Sequence, residues 1–76
     1  MRVLYFAQLQ ELTGRAEDTF DASIGSIAEL ITQVRARYPK ISSLNLFAAV
    51  NQTYAAPACA IQATDEIALF PQVTGG

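Results

Sequence analysis

The chain has 76 residues, 51% of them hydrophobic, with five basic and seven acidic side chains and no histidine. Such a length suits one small domain, and so apolar a composition excludes an intrinsically disordered chain. Lysine occurs only at Lys40, so no basic stripe is available to neutralise phosphates, which argues against nucleic-acid binding.

The cysteine count and the N-terminal segment indicate a cytoplasmic protein. The single Cys59 allows no internal disulfide and, without histidine, no zinc site. We expect Cys59 to be a small, half-buried apolar residue in a reducing compartment. The first apolar run is too short for a signal peptide, and no window has the length of a membrane span. The sequence therefore predicts neither a metal site nor a membrane segment.

Two strands are predicted at the N-terminus. The first segment, Arg2–Leu9, is almost continuously apolar, which is typical of a strand covered on both faces or nearly so. Thr13–Gly14 is a turn signal, and Ala16–Asp21 follows as a short, solvated strand. We expect the two to pair as a hairpin.

The next segment carries the clearest helix signal. Residues 26–29 match a capping box, in which Ser26 accepts a hydrogen bond from the Glu29 amide and Glu29 reaches back to the Ser26 amide. Arg35 and Arg37 suit the C-terminal end of the helix dipole, and Pro39 ends the helix. Apolar residues recur on one stripe, at Ile27, Leu30, Ile31, Val34 and Tyr38.

The remaining chain predicts three strands. Leu44–Val50 and Thr53–Ala55 are separated by a turn at Asn51–Gln52, residues 56–63 have no clear assignment, and Glu66–Phe70 is bounded by Pro71. We therefore predict an α+β fold, a β-grasp (ubiquitin-like) roll over residues 1–71. It has a mixed sheet of about five strands with one main helix packed on one face.

Phe70 is predicted to point away from the helix. Alternation along the last strand places Ile67 and Leu69 on one face and Phe70 on the other, where it would be an exposed anchor for a partner. The alternative is that the strand end curls and Phe70 packs locally.

Residues 72–76 are predicted to form a flexible tail. Five residues beyond Pro71 span roughly 16 Å when extended. Gly75 and Gly76 have no Cβ, so they can pass through a channel too narrow for a side chain. Ordering such a tail costs about 1–2 kcal/mol per residue, so we expect it to become fixed only in a partner. The alternative is a frayed terminus without a role.

A carboxylate on Gly76 becomes reactive only when it is activated. ATP can convert it to an acyl adenylate, and a sulfur donor can displace AMP to leave a thiocarboxylate. The chain has no phosphate-binding glycine loop, no histidine and no nucleophile–base pair to catalyse these steps. If the tail has a chemical role, the chain is a carrier and its partners are the catalysts.

Three stretches resemble the small subunits of molybdopterin synthase, a family of ubiquitin-like sulfur carriers: VLYFAQLQELTG at 3–14, AAVNQ at 48–52 and DEIALFPQVTGG at 65–76. The resemblance implies a β-grasp domain with no bound cofactor. It also implies that an adenylating enzyme related to ubiquitin-activating enzymes uses ATP to adenylate Gly76, and that a sulfurtransferase then supplies the sulfur.

The resemblance further implies how the tail is used. The tail would insert into the active site of the large synthase subunit and transfer its sulfur to cyclic pyranopterin monophosphate. Phe70 matches a phenylalanine of the apolar partner contact, and the assembly would be a heterotetramer. The inserted residues are Pro71, Gln72, Val73, Thr74, Gly75 and the terminal Gly76.

Some features leave alternatives open. Thr64 and Gln72 stand where the family often has glycine and a second proline, which bears on loop geometry and partner choice. Rival functions are a sulfur carrier for thiamine synthesis or transfer-RNA thiolation, a ubiquitin-like modifier that forms isopeptide bonds, and an inert binding module. Asp65 and Glu66 are expected to form a solvated turn rather than an acid–base pair. The three tyrosines are expected to pack in the core or at its rim: Tyr5, Tyr38 and Tyr54.

Overall fold

The computed structural model describes residues 1–21 and 23–71. Its elements in chain order are β1 (Arg2–Tyr5), α1 (Gln8–Thr13), β2 (Glu17–Thr19), α2 (Ile27–Arg37), a 3₁₀ turn (Pro39–Ile41), β3 (Leu46–Val50), β4 (Thr53–Ala55) and β5 (Glu66–Pro71).

The five strands form one mixed sheet in the order β2–β1–β5–β3–β4. β1 and β5 are parallel, with Val3 opposite Ile67 and Tyr5 opposite Leu69. The pairs β1–β2, β3–β5 and β3–β4 are antiparallel. The last strand therefore lies at the centre of the sheet, beside the first. This confirms the predicted α+β, β-grasp arrangement.

The core lies between the sheet and α2. Inward residues of the strands alternate with outward ones, and they meet the stripe of Ile27, Leu30 and Val34 on the helix. Full burial of each such aliphatic side chain stabilises the fold by about 1.5–3 kcal/mol. The side chains with no exposed surface are Val3, Tyr5, Leu9, Leu30, Val34, Ile41, Ile67 and Leu69.

The cap of α2 is close to the predicted capping box. The Ser26 hydroxyl accepts from the Glu29 amide at 3.2 Å. The Glu29 carboxylate accepts from the Gly25 amide at 3.0 Å, one residue before the predicted donor. The helix ends where Tyr38 leaves the helical region, at φ −129°, before Pro39.

The prediction of a strand over Arg2–Leu9 is wrong beyond Tyr5. The chain turns at Ala7, whose φ is 53° and ψ −131°, and then forms α1. Leu9 is fully buried, and Gly14 ends the helix in the left-handed region at φ 73°. Leu9 therefore joins the core as the apolar side of a short helix, so β1 and β2 are joined through α1.

The backbone of Ala7 predicts a stabilising substitution. Its positive φ and strongly negative ψ disfavour a Cβ, so Ala7→Gly is expected to raise the free energy of unfolding by about 1 kcal/mol. Urea denaturation measures this as a higher midpoint at constant slope. Gly14→Ala is the matched control: nothing lies within 4 Å of an added Cβ, so its backbone alone should lower the midpoint. A lower midpoint for Ala7→Gly contradicts the assignment of strain.

Other strand boundaries also differ from the prediction. β2 is shorter than Ala16–Asp21, and β3 begins at Leu46 rather than Leu44, because the Leu44 amide still donates to the Ile41 carbonyl in the preceding turn, at 3.1 Å. β5 includes Pro71, which pairs with Leu46 and is buried.

A polar cluster around Asp18 joins β2 to the end of α2. The Asp18 side chain is 10% exposed, and its Oδ1 lies 3.2 Å from Arg37 Nη1. The hydroxyls of Tyr5 and Tyr38 both donate to Oδ2. Burial alone would raise the pKa of Asp18, but the hydrogen bonds from Tyr38 and Arg37 outweigh it and lower the pKa. Burial, then the negative charge of Asp18, raises the pKa of Tyr5, so this hydroxyl remains a donor.

Asp18→Asn is expected to flatten the acid limb of the stability profile. A lowered folded pKa means that ionised Asp18 stabilises the fold above its unfolded pKa of about 3.9, and that this contribution disappears as pH falls through the folded value. The variant should lose about 1–2 kcal/mol at pH 7 because the hydroxyls of buried Tyr5 and half-buried Tyr38 lose a charged acceptor. Urea titrations from pH 7 to pH 3 measure both effects. Equal pH slopes for the two proteins would rule out the linkage.

Candidate functional site

The sheet face opposite α2 is apolar and exposed. The residues that alternate with the core positions in β1, β3, β4 and β5 lie on this face, and so does the residue that follows β1. We call this surface the open face, and its apolar members are Leu4, Phe6, Phe47, Ala49, Tyr54, Ala68 and Phe70. The exposed fractions of its large side chains are 45% for Phe6, 46% for Phe47 and 79% for Tyr54. Contiguous exposed aromatics of this kind mark an interaction surface.

Phe70 lies at the centre of an aromatic cluster. It pairs with Phe47 across β5 and β3, with ring centroids 6.1 Å apart. Tyr54 contacts it edge-on at 5.6 Å. Together with Pro71, these rings line a concavity of about 430 Å³, which we call the aromatic groove. The aromatic rings thus line a pocket into which a side chain of a partner can insert.

The orientation predicted for Phe70 agrees with the structure, and features of both alternatives, the exposed anchor and local packing, are present. Ile67 and Leu69 are fully buried, and Phe70 points the other way. Phe70 is half-buried by its two aromatic neighbours, so it combines local packing with exposure.

Sequence reasoning missed Phe47 and Tyr54 as members of this surface. Tyr54 was expected at the core or its rim, yet it is the most exposed of the large hydrophobic residues on the described chain. Alternation within Leu46–Val50 could have separated Phe47 from buried Ala48. Its proximity to Phe70 depends on strand register, which the local sequence does not carry.

The last described residue, Pro71, is one of the residues that line the aromatic groove. Pro71 closes β5, pairs with Leu46 and lines the groove beside Phe70. The other predicted tail residues lie outside the described residues: Gln72, Val73, Thr74, Gly75 and Gly76. Pro71 is thus the only one of the predicted insertion residues that the structure positions.

Charged residues border the open face. Arg2 forms ion pairs with Glu17 on one side and with Glu66 Oε2 at 3.4 Å on the other. The hydrogen bond with Glu17 raises the pKa of Arg2 above the ordinary value for arginine. Exposed pairs such as these contribute little stability. An apolar centre with a polar border is the usual composition of a protein–protein interface.

The turn before β5 shows no acid–base pair. Asp65 accepts hydrogen bonds from the Gln62 amide at 2.8 Å and from Asn51 Nδ2 at 3.0 Å. Glu66 instead lies in β5 and faces Arg2, so the predicted solvated turn is wrong for Glu66, and the two carboxylates serve separate structural contacts. Thr64 is not among the residues with positive φ, which in this part of the chain are Asn51 and Gln52. The replacement of glycine by Thr64 therefore introduces no left-handed strain.

Within 1–21 and 23–71, no three His, Cys, Asp or Glu side chains come together in a way that could hold a metal ion. None of the helices in these ranges has the length and hydrophobicity needed to cross a membrane. Cys59 is half-buried, as predicted.

The ThiS family model matches residues 3–76, nearly the whole chain. The chain belongs to the ThiS family. A ThiS-family relative named "Molybdopterin synthase sulfur carrier subunit" in Chlamydomonas reinhardtii is 36% identical over 81 aligned residues, covering 100% of this chain and 98% of the relative. The protein of the same name in Haemophilus influenzae is 37% identical, with 100% and 99% covered. The resemblance found in the sequence is thereby confirmed.

Solved structures agree with the ThiS-family fold. A chain from Pyrococcus furiosus superposes with a TM-score of 0.83 at 23% identity, covering 95% of both chains, which supports the fold alone. SAMP1, the small archaeal modifier protein 1 of Haloferax volcanii, has a TM-score of 0.78 at 26% identity, covering 100% of this chain and 98% of its own.

Proposed function

We propose that this chain is the sulfur carrier subunit of a molybdopterin synthase. Two full-length relatives above 35% identity carry that name, and the family model includes the Gly-Gly end. The main structural support is that β5 ends at Pro71, beside exposed aromatic residues. A partner that covers the open face would therefore lie next to the start of the tail.

The proposed chemistry occurs on the carboxylate of Gly76. An adenylating enzyme joins this carboxylate to AMP from ATP and releases pyrophosphate. The outer sulfur of a persulfide on a sulfurtransferase then attacks the acyl carbon and AMP departs. A thiol reduces the resulting acyl disulfide and frees the thiocarboxylate. In the large synthase subunit the thiocarboxylate sulfur forms a bond to a carbon of cyclic pyranopterin monophosphate, and water hydrolyses the resulting thioester, so the sulfur stays on the substrate and the carboxylate of Gly76 is regenerated. The carrier itself contributes a narrow chain end and a docking face, while its partners supply the catalytic groups.

The aromatic groove would provide the docking anchor. Phe70, Phe47 and Tyr54 present rings that bury a large apolar area at a small cost in side-chain entropy. Residues 72–76 would then enter the active site of the large subunit, where Gly75 and Gly76 need no room for side chains. A reducing cytoplasm would keep the thiocarboxylate intact.

The test is the intact mass of the chain after incubation with ATP, a sulfur donor and the adenylating enzyme. We expect a gain equal to the mass difference between sulfur and oxygen, located on the C-terminal peptide. Omission of ATP is the control and should leave the mass unchanged. An unmodified carboxylate in the complete reaction would contradict the carrier function.

A second candidate is a ubiquitin-like protein modifier. The full-length similarity to SAMP1, which is named as a modifier, favours it. Activation at Gly76 would be the same, but an isopeptide bond to lysine would replace the thiocarboxylate. Lysine-linked adducts in the same reaction, in place of the sulfur-for-oxygen mass gain, would identify this function.

A further inference from the structure

A second concavity lies around the edge of β3, next to the open face. It has a volume of about 410 Å³, and we call it the edge groove. The edge groove shares Phe47 with the aromatic groove, so the two surfaces are continuous. It is lined by Ala28, Ile31 and Arg35 of α2, Leu46 and Phe47 of β3, and Asn45 and Pro57 outside these elements.

Arg35 gives the edge groove a positive charge. It is the only charged side chain among the described residues that line the groove. One of its nitrogens, Nη2, donates to the Leu44 carbonyl at 3.0 Å, whereas Nε is buried without a hydrogen-bond partner within 1–21 and 23–71. Arg35 also has no ion pair with the described carboxylates. A carboxylate brought into this groove would meet an uncompensated guanidinium in apolar surroundings, where charge-assisted hydrogen bonds are strong.

The backbone beside the groove suits an extended segment. The Asn51 amide donates to the Glu66 carbonyl, so odd residues of β3 bond to β5, and Leu46 directs its backbone groups toward the β4 side. β4, however, pairs only with 48–50, so the ladder stops before Leu46. Pro57 follows on that side without an N–H, and its carbonyl is turned to the Ala28 amide at 2.9 Å. An added strand can use the Leu46 edge.

We infer that the edge groove binds an extended segment of the large synthase subunit that carries a carboxylate at Arg35. The inference rests on the proposed function. A stable subunit interface takes about 20–30 residues a side, far more than the open face provides, and the edge groove is its continuous extension. The adenylating enzyme and a second copy of the carrier are the alternative occupants, and the binding experiment distinguishes them.

The test measures the dissociation constant between the large synthase subunit and carrier variants by calorimetry. Arg35→Glu should weaken binding by about tenfold or more, because the new glutamate would lie next to the partner's carboxylate and the two negative charges would repel each other. Ala28→Glu should do the same by filling the groove with a negative charge. It should also leave the fold intact, since Ala28 is exposed in the first turn of α2, where a carboxylate favours the helix dipole. Lys40→Glu, a charge reversal at an exposed residue outside the groove, is the matched control and should change binding less than about twofold.

The outcomes separate the two proposals. If Phe70→Ala weakens the complex while Arg35→Glu and Ala28→Glu behave like Lys40→Glu, the edge groove has no role and the carrier function stands. If the two groove variants weaken binding only to the adenylating enzyme, or only self-association in sedimentation, the assigned occupant is wrong. If the wild-type carrier forms no complex with the large subunit, the proposed function fails and the inference fails with it.

Discussion

Adding one alanine after Gly76 is expected to abolish sulfur transfer. In the proposed insertion, the added residue would place the terminal carboxylate one position too far along the tail and would bring a Cβ into the channel that Gly75 and Gly76 enter. Misplacement of a reacting group by about 1 Å already costs on the order of 100-fold in rate, so we expect at least that loss. The measurement is the rate of thiocarboxylate formation, followed by the rate of dithiolene formation with the large subunit.

The extended chain should remain folded, which separates chemistry from stability. The added residue follows Gly76 and replaces no residue of β5 or of the buried core, so the urea midpoint should not change. A second control, Lys40→Ala, alters an exposed side chain and should retain full activity. Wild-type rates from the extended chain would mean that the free end takes no part in the reaction.

Phe70→Ala is expected to weaken the complex with the large synthase subunit by about 30-fold or more. Central aromatic anchors of interfaces commonly contribute 2 kcal/mol or more, which corresponds to this factor. Phe70 packs against Phe47 and Tyr54 next to the start of the tail, so truncation of its side chain removes the central ring that lines the aromatic groove. Calorimetry or surface-based binding assays measure the change.

Tyr54→Ala tests the same surface with less effect on the fold. Its side chain is 79% exposed, so truncation should leave the unfolding midpoint almost unchanged while still weakening the complex. Gln33→Ala, an exposed change on α2, provides a control away from the open face. Binding that is insensitive to both Phe70→Ala and Tyr54→Ala would place the partner on another surface.

The sequence predicted α2 well because its signals are local. Ser26 and Glu29 fall within one turn, and the buried stripe repeats at helical spacing, so no distant contact is needed to recognise the helix. The same holds for the alternation of Ile67, Leu69 and Phe70 along β5. These elements carry the β-grasp assignment and the orientation of the proposed anchor.

The missed features depend on interactions that the local pattern does not contain. The apolar run from Val3 to Leu9 fits a strand, and only the positive φ of Ala7 turns Leu9 into the buried side of α1. The aromatic cluster likewise forms because register places Phe47 opposite Phe70, and Tyr54 one strand further. Tertiary packing decided both cases.

The central position of β5 has a mechanical consequence. This strand pairs with β1 from Glu66 to Leu69 on one side and with β3 from Ile67 to Pro71 on the other. A pull on the C-terminus along the strand axis therefore loads hydrogen bonds on both sides of β5 in shear, whereas a strand at the edge of the sheet would have only one such row. The sheet is thus expected to resist tension applied through its C-terminal end, such as the tension from a partner that draws the C-terminal residues into a deep channel.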